Sequence, residues 1–155
     1  MILAEGVSAP DFKLMGTDNQ AHSLSDYKGK KVVLYFYPKD DTPGCTKEAC
    51  DFRDSMESIR EDGTEVLGVS MDTVMSHVKF TNKYNLNFML LADMTGKVCE
   101  DYGVMGNKHI FGKSSWGLVR TTYVIDKSGK IVKVFSPVKV DGHRDEIVKE
   151  LKKIA

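Results

Sequence analysis

The sequence predicts an α/β protein: a central mixed β-sheet flanked by helices, with an N-terminal hairpin extension, in a single domain over residues 1–155. Three observations carry this. Lys31–Tyr37 (Lys-Val-Val-Leu-Tyr-Phe-Tyr) is a nearly continuous run of β-branched and aromatic residues, as expected of an interior strand covered on both faces. A helix signal follows it, and Thr64–Ser70 (Thr-Glu-Val-Leu-Gly-Val-Ser) is a second strand of the same kind, so the three form a right-handed β-α-β unit. Finally, 155 residues with 41% hydrophobic and 28% charged content suit one domain with a sizeable core.

Taken in order, Val7–Leu24 is a lead-in segment with a short hairpin turning at Gly16–Asn19, and Ser25–Gly29 makes a single turn before the first core strand. Pro38 ends that strand. Thr42 is a good N-cap type and Pro43 suits the first helical position, after which Ala49, Phe52, Met56 and Ile59 recur at helical spacing through Arg60. Beyond the Thr64–Ser70 strand, Val74–Tyr84 reads as a helix, Phe88–Leu91 as a short strand and Thr95–Tyr102 as a short helix. Gly103–Leu118, punctuated by Gly103, Gly106, Gly112 and Gly117, reads as a long loop. Thr121–Asp126 and Lys130–Phe135 form a hairpin turning at Lys127-Ser128-Gly129, and Asp145–Ile154 is an amphipathic closing helix. This order of elements is that of a thioredoxin-like fold. In open α/β sheets, sites collect at the carboxyl edge of the strands, where the first long helix begins.

Composition narrows the function. Twenty-two basic and 22 acidic side chains cancel, and no basic stripe interleaved with aromatics is present, which argues against nucleic-acid or anionic-membrane partners. Met1–Ala4 is too short for a signal peptide and no apolar run approaches a membrane span, so a cytosolic location is expected. Three cysteines are odd in number and too sparse for a secreted disulfide framework, which directs attention to catalysis, metal binding or burial.

Cys45 carries the sharpest signal. It falls in the first turn of the Thr42-capped helix, where unsatisfied N–H groups and the positive end of the helix dipole favour an anion, so its sulfur is expected to be a nucleophile at neutral pH. Cys50 lies five residues further on. Along an intact helix that separation is about 7.5 Å in rise and roughly 140° in rotation, which places the two Cα atoms about 8.6 Å apart. A disulfide needs less than about 7 Å. If the two form a redox couple, the first turns of the helix must unwind between the reduced and oxidised states. No C-x-x-C pair is present.

Pro38, Thr42 and Cys45 match the P-x-x-x-[TS]-x-x-C signature of peroxiredoxins, and the longer string Tyr35–Cys50 resembles the bacterioferritin comigratory protein, or Q-type, subfamily. The resemblance extends from Ala9-Pro10-Asp11-Phe12 through Val66–Ser70 to Gly117–Asp126, nearly the whole chain. It implies a peroxidase that reduces hydrogen peroxide and organic hydroperoxides with Cys45 as the peroxidatic residue, Cys50 as the resolving one and thioredoxin, or glutaredoxin, as reductant. Attack of a thiolate on the O–O bond needs no metal or organic cofactor. By the same resemblance Thr42 hydrogen-bonds the sulfur and the peroxide, Arg120 pairs with the thiolate, Glu48 orients that arginine, and Pro38 shields the sulfur from water. An intramolecular disulfide implies that a monomer completes the cycle.

The remaining candidates are weaker. Cys99 reads as a buried core thiol. His22, His77, His109 and His143 lack ligand spacing and are expected on the surface or in loops, which makes a zinc site improbable. Phe111 and Trp116, in the glycine-punctuated loop, are candidates for lining the active-site mouth and accepting the organic part of a hydroperoxide. Two rival functions are a thioredoxin-type disulfide reductase, which would want the missing C-x-x-C, and a redox sensor or holdase chaperone in which oxidation of Cys45 unwinds the helix and exposes the Phe52 and Met56 face.

Overall fold

The computed structural model of the chain describes residues 1–110 and 112–154, with the side chains of all but residues 109 and 110. A short hairpin, β1 (Lys13–Gly16) and β2 (Ala21–Ser23), leads through a 3-10 turn at Leu24–Tyr27 into β3 (Lys31–Phe36). Then come α1 (Pro43–Glu61), β4 (Thr64–Ser70), α2 (Val74–Tyr84), β5 (Met89–Ala92) and α3 (Lys97–Asp101). The chain closes with β6 (Met105–Ile110), β7 (Lys113–Leu118), β8 (Thr121–Ile125), β9 (Ile131–Phe135) and α4 (His143–Leu151). Seven strands form one mixed sheet in the order β2-β1-β5-β4-β3-β8-β9. β3, β4 and β5 run parallel, while β8 and β1 pair antiparallel to β3 and β5.

β3 is an interior strand, between β4 and β8, because both of its faces are apolar, and all six of its residues are buried. Side chains alternate along it, so two cores form, one on each face. Val33, Tyr35 and Tyr37 pack with Cys45, Ala49, Phe52, Met56 and Ile59 of α1, with Phe80 of α2 and with Ile147 and Leu151 of α4. Val32, Leu34 and Phe36 pack on the opposite face with Cys99, Tyr102, Val104, Tyr123 and Ile125. Each fully buried side chain on the α1 stripe contributes about 1.5–3 kcal/mol relative to exposure. That stripe fixes the rotation of α1 over the sheet, and with it the direction in which Cys45 points.

The expectation of a long loop over Gly103–Leu118 is corrected. β6 and β7 make a separate antiparallel ribbon, with Asn107 opposite Trp116 and Gly106 opposite Gly117. Lys113 to Trp116 are all exposed, so the ribbon has no core face there and its residues lack the apolar alternation by which a strand is recognised. Backbone pairing holds it instead, and Gly112 at φ +76 lies in its connection. The histidines need a second correction. His77 and His143 are buried at 0% and 1% exposure, because each imidazole has hydrogen-bond partners in the interior. Among the described residues, no helix is long and apolar enough to cross a membrane.

Candidate active site

The site forms where β3 ends. Phe36 is followed by Tyr37 and the half-buried Pro38, and the chain turns through Asp40 and Asp41 into α1. This turn is fastened to α2 by two carboxylates. Asp40 accepts hydrogen bonds from Tyr37 Oη at 2.5 Å and Ser76 Oγ at 2.8 Å, and its Oδ2 lies 2.7 Å from His77 Nδ1. Asp41, in the left-handed region at φ 60, accepts from Lys83 Nζ at 2.7 Å and Tyr84 Oη at 2.8 Å. Asp is among the few side chains that tolerate this conformation, and the two bonds hold it there.

Thr42 is the N-cap residue in extended conformation and Pro43 begins the helix, as the sequence predicts. The Thr42 hydroxyl does not cap α1; it donates to the Lys39 carbonyl at 3.0 Å. The first-turn N–H groups of Gly44 and Cys45 therefore point out of the helix end without a side-chain cap. Cys45 lies among them as a free thiol, 1% exposed, and Cys50, also free and half-buried, follows on the intact helix.

Arg120 reaches the same place from the far end of the sequence, and strand register explains how. Thr121 pairs with Phe36 across the antiparallel β3–β8 ladder, so Arg120, one residue before β8, lies just beyond the carboxyl end of β3. Its Nη2 is 3.2 Å from Cys45 Sγ and its Nη1 donates to Glu48 Oε1 at 2.6 Å. Glu48, one turn after Cys45, is 2% exposed, and its Oε2 has no hydrogen-bond partner among the described residues. Burial pushes the Glu48 carboxyl up to about 7 against the opposing pull of Arg120. Burial works against the charge of Arg120, yet Glu48 and Cys45 together hold the guanidinium above its ordinary value. The planar fork of arginine suits this bridge between a sulfur and a carboxyl.

The structure thus brings Cys45, Glu48 and Arg120 into direct contact, with Thr42 and Pro38 at the start of α1. Trp116 stands on β7, 69% exposed, and Phe111 lies outside the described residues. Cys99 is on the opposite face of the sheet from Cys45, where burial pushes its thiol well above the ordinary range.

Two contributions escape sequence reasoning. A Cβ added at Gly44 would come within 3.2 Å of Arg120 Nη2, so this glycine leaves room for the guanidinium; a glycine inside a helical first turn beside the cysteine is the available signal. The other is the Asp40–His77 hub, which joins segments far apart in sequence. Asp40, Asp72 and His77 place one donor atom each within 4.8 Å of one another, a spacing that a metal ion could use. They are already engaged with each other, Asp72 Oδ2 accepting from the Asp40 N–H at 2.9 Å and from Ser70 Oγ at 2.6 Å.

Comparison with known proteins meets this geometry. The AhpC/TSA family model matches residues 6–134. Peroxiredoxin Bcp of Bacillus subtilis is 49% identical over 152 residues, covering 98% of this chain and 97% of that protein. Among solved structures, a PrxQ mutant of Xylella fastidiosa superposes with a TM-score of 0.92 at 32% identity, covering 99% of this chain and 98% of that one. The bacterioferritin comigratory protein of Xanthomonas campestris, described for its alkyl peroxide reduction activity, superposes with a TM-score of 0.89 at 33% identity, covering 97% of this chain and 98% of that one. The likeness covers nearly the whole chain; the chain belongs to the AhpC/TSA family, in its bacterioferritin comigratory (Q-type) peroxiredoxin branch, and is a thiol peroxidase.

Proposed function

We propose that Cys45 is the peroxidatic residue of this peroxidase, acting on hydrogen peroxide and organic hydroperoxides. The observation that carries the reading is the 3.2 Å approach of Arg120 Nη2 to Cys45 Sγ at an uncapped helix start. A guanidinium and the positive helix end both favour a thiolate there. The thiolate attacks the terminal peroxide oxygen, the O–O bond breaks, and Cys45 becomes a sulfenic acid as an alkoxide or hydroxide leaves. Arg120 and the first-turn N–H groups stabilise the charge that develops on the leaving oxygen. Thr42 contributes by swinging its O–H from the Lys39 carbonyl to the peroxide, and Pro38 keeps water from the sulfur. Trp116, solvent-facing on β7, offers an apolar surface to the organic part of a bulky hydroperoxide; unchanged kinetics with such a substrate after Trp116→Ala would rule this out.

Cys50 is the resolving residue. Because five helical residues hold the two sulfurs apart, α1 unwinds at its start before Cys50 attacks the sulfenic acid and water leaves. The resulting disulfide is exposed, which suits reduction by thioredoxin or a similar dithiol protein. Both cysteines of the cycle, Cys45 and Cys50, come from one chain, which supports a single domain over residues 1–155 working as a monomer, and free thiols suit the reducing cytoplasm. The test is to stall the cycle with Cys50→Ser, add one equivalent of peroxide and trap sulfenic acid with dimedone. The adduct is expected on Cys45; an adduct on Cys99 alone, or none, would contradict the assignment.

A further inference from the structure

Glu48 and Cys45 share one counter-cation, and this has a consequence for where the protons go. Arg120 donates to Glu48 Oε1 at 2.6 Å and approaches Cys45 Sγ at 3.2 Å, while Glu48 Oε2 is buried without a partner among the described residues. If both acids were ionised, one guanidinium would face two negative charges in a site where Glu48 is 2% exposed and one of its charged oxygens has no donor. Burial makes that arrangement costly. A neutral carboxyl beside the thiolate avoids it.

We propose that Glu48 stores the proton taken by the alkoxide leaving group, so that Arg120 faces one negative charge on Cys45 before the reaction and one on Glu48 after it. This rests on the reading of Cys45 as the peroxidatic residue. The step balances as Cys45–S⁻ + ROOH + Glu48–COOH → Cys45–SOH + ROH + Glu48–COO⁻. The S–O bond forms with the thiolate electron pair, the O–O bond breaks, the sulfur is oxidised and the peroxide reduced, and the leaving RO⁻ receives the Glu48 proton. The negative charge that leaves the sulfur is replaced by one on the carboxylate. Conversion of the thiolate to a neutral sulfenic acid leaves Arg120 free to pair with Glu48 alone, which favours release of the Glu48 proton at the step that needs it.

The surroundings of Glu48 agree. Cys45 and Asp51 flank it on α1, Arg120 reaches it from the start of β8, and Tyr35 faces it from β3. Burial holds the Tyr35 hydroxyl protonated, with its own value raised well above the ordinary one, so Arg120 is the only cation among these neighbours. Burial and Asp51 favour the neutral carboxyl, Arg120 opposes them, and the balance places it at about 7, within reach of both states near neutral pH.

The test uses the full chain carrying Cys50→Ser, with or without Glu48→Gln, and one equivalent of hydrogen peroxide at about pH 7, where the Glu48 carboxyl can both hold and release its proton. Glutamine keeps a carbonyl oxygen for Arg120 but holds no titrating proton. Infrared difference spectra are expected to show loss of one protonated-carboxyl C=O stretch and gain of a carboxylate band on oxidation, both absent with Glu48→Gln. A pH-indicator dye is expected to report clearly less bulk proton uptake per sulfenic acid with Glu48 present than the one proton or so taken up with glutamine. Mass spectrometry on the same samples separates the two claims. If Cys45 gains no oxygen, the peroxidatic assignment fails. If Cys45 is oxidised while the carboxyl band is unchanged, or the Glu48 protein takes its proton from bulk solvent, the proton-store role is overturned and the peroxidatic assignment stands.

Discussion

Asp40 Oδ2 and His77 Nδ1 meet at 2.7 Å inside the protein and fasten the turn before α1 to α2. His77 Nε2 lies 3.0 Å from the Leu91 carbonyl, to which it donates, so the imidazole is held from both sides. The turn that precedes Thr42 is therefore anchored in the core rather than left to solvent, and the start of α1 is presented on a fixed base.

Asp40→Asn breaks this base by leaving a buried imidazole without its carboxylate. Leaving a buried polar group without its hydrogen-bond partner is expected to cost about 1–3 kcal/mol. Urea denaturation should show a lower midpoint with an unchanged m-value, and an unaltered midpoint would show that the hub does not stabilise the fold.

Arg120→Lys keeps the charge but loses the fork that engages sulfur and carboxyl together. Sulfenic acid formation, followed by stopped-flow fluorescence under single-turnover conditions, should slow by about 10²-fold, the effect of removing one donor to a developing oxyanion. A rate within a factor of two or so of the unmodified protein would place the leaving-group stabilisation elsewhere.

The Glu48 carboxyl, raised from 4.5 to about 7 by burial against the pull of Arg120, makes stability depend on pH. The folded protein holds this proton more tightly than the unfolded chain does. The contribution is full below about pH 4.5 and is lost as pH rises through about 7, a fall of about 3 kcal/mol at 1.36 kcal/mol per pH unit. Unfolding curves collected across that window should show the fall for the intact chain and a flatter profile for Glu48→Gln. Parallel profiles would mean that Glu48 titrates alike in both states.

Cys99 is separated from Cys45 by the sheet itself, and its burial makes it a poor nucleophile. Brief alkylation of the native reduced protein should label Cys50, which is half-buried, well before Cys99, which should react only on unfolding. Rapid native labelling of Cys99, read by peptide mass mapping, would contradict this placement.

Much of this was legible in the residues, and the exceptions have physical causes. Thr42 and Pro43 mark the start of α1 because cap and first-turn chemistry is local, and the apolar run of β3 shows its double burial directly. The Asp40–His77 pair and the approach of Arg120 to Cys45 depend on strand register between distant segments, which no local pattern encodes. The family signature pointed to Arg120, but the pairing of Thr121 with Phe36 explains its arrival. The β6–β7 ribbon escaped because a strand exposed along most of its length, as Lys113 to Trp116 is, has no apolar face to declare it. His77 and His143 lie in the interior rather than at the surface because a histidine's burial is decided by partners such as Asp40 and Thr122, contributed by other elements.

The central claim, a two-cysteine peroxidase cycle within one chain, is tested most directly by peroxide-dependent NADPH consumption in the presence of thioredoxin and thioredoxin reductase. The intact chain should turn over continuously, Cys45→Ser should not turn over, and Cys50→Ser should stop after about one equivalent of peroxide. Sustained turnover by Cys45→Ser, or no consumption by the intact chain with hydrogen peroxide or an organic hydroperoxide, would contradict it.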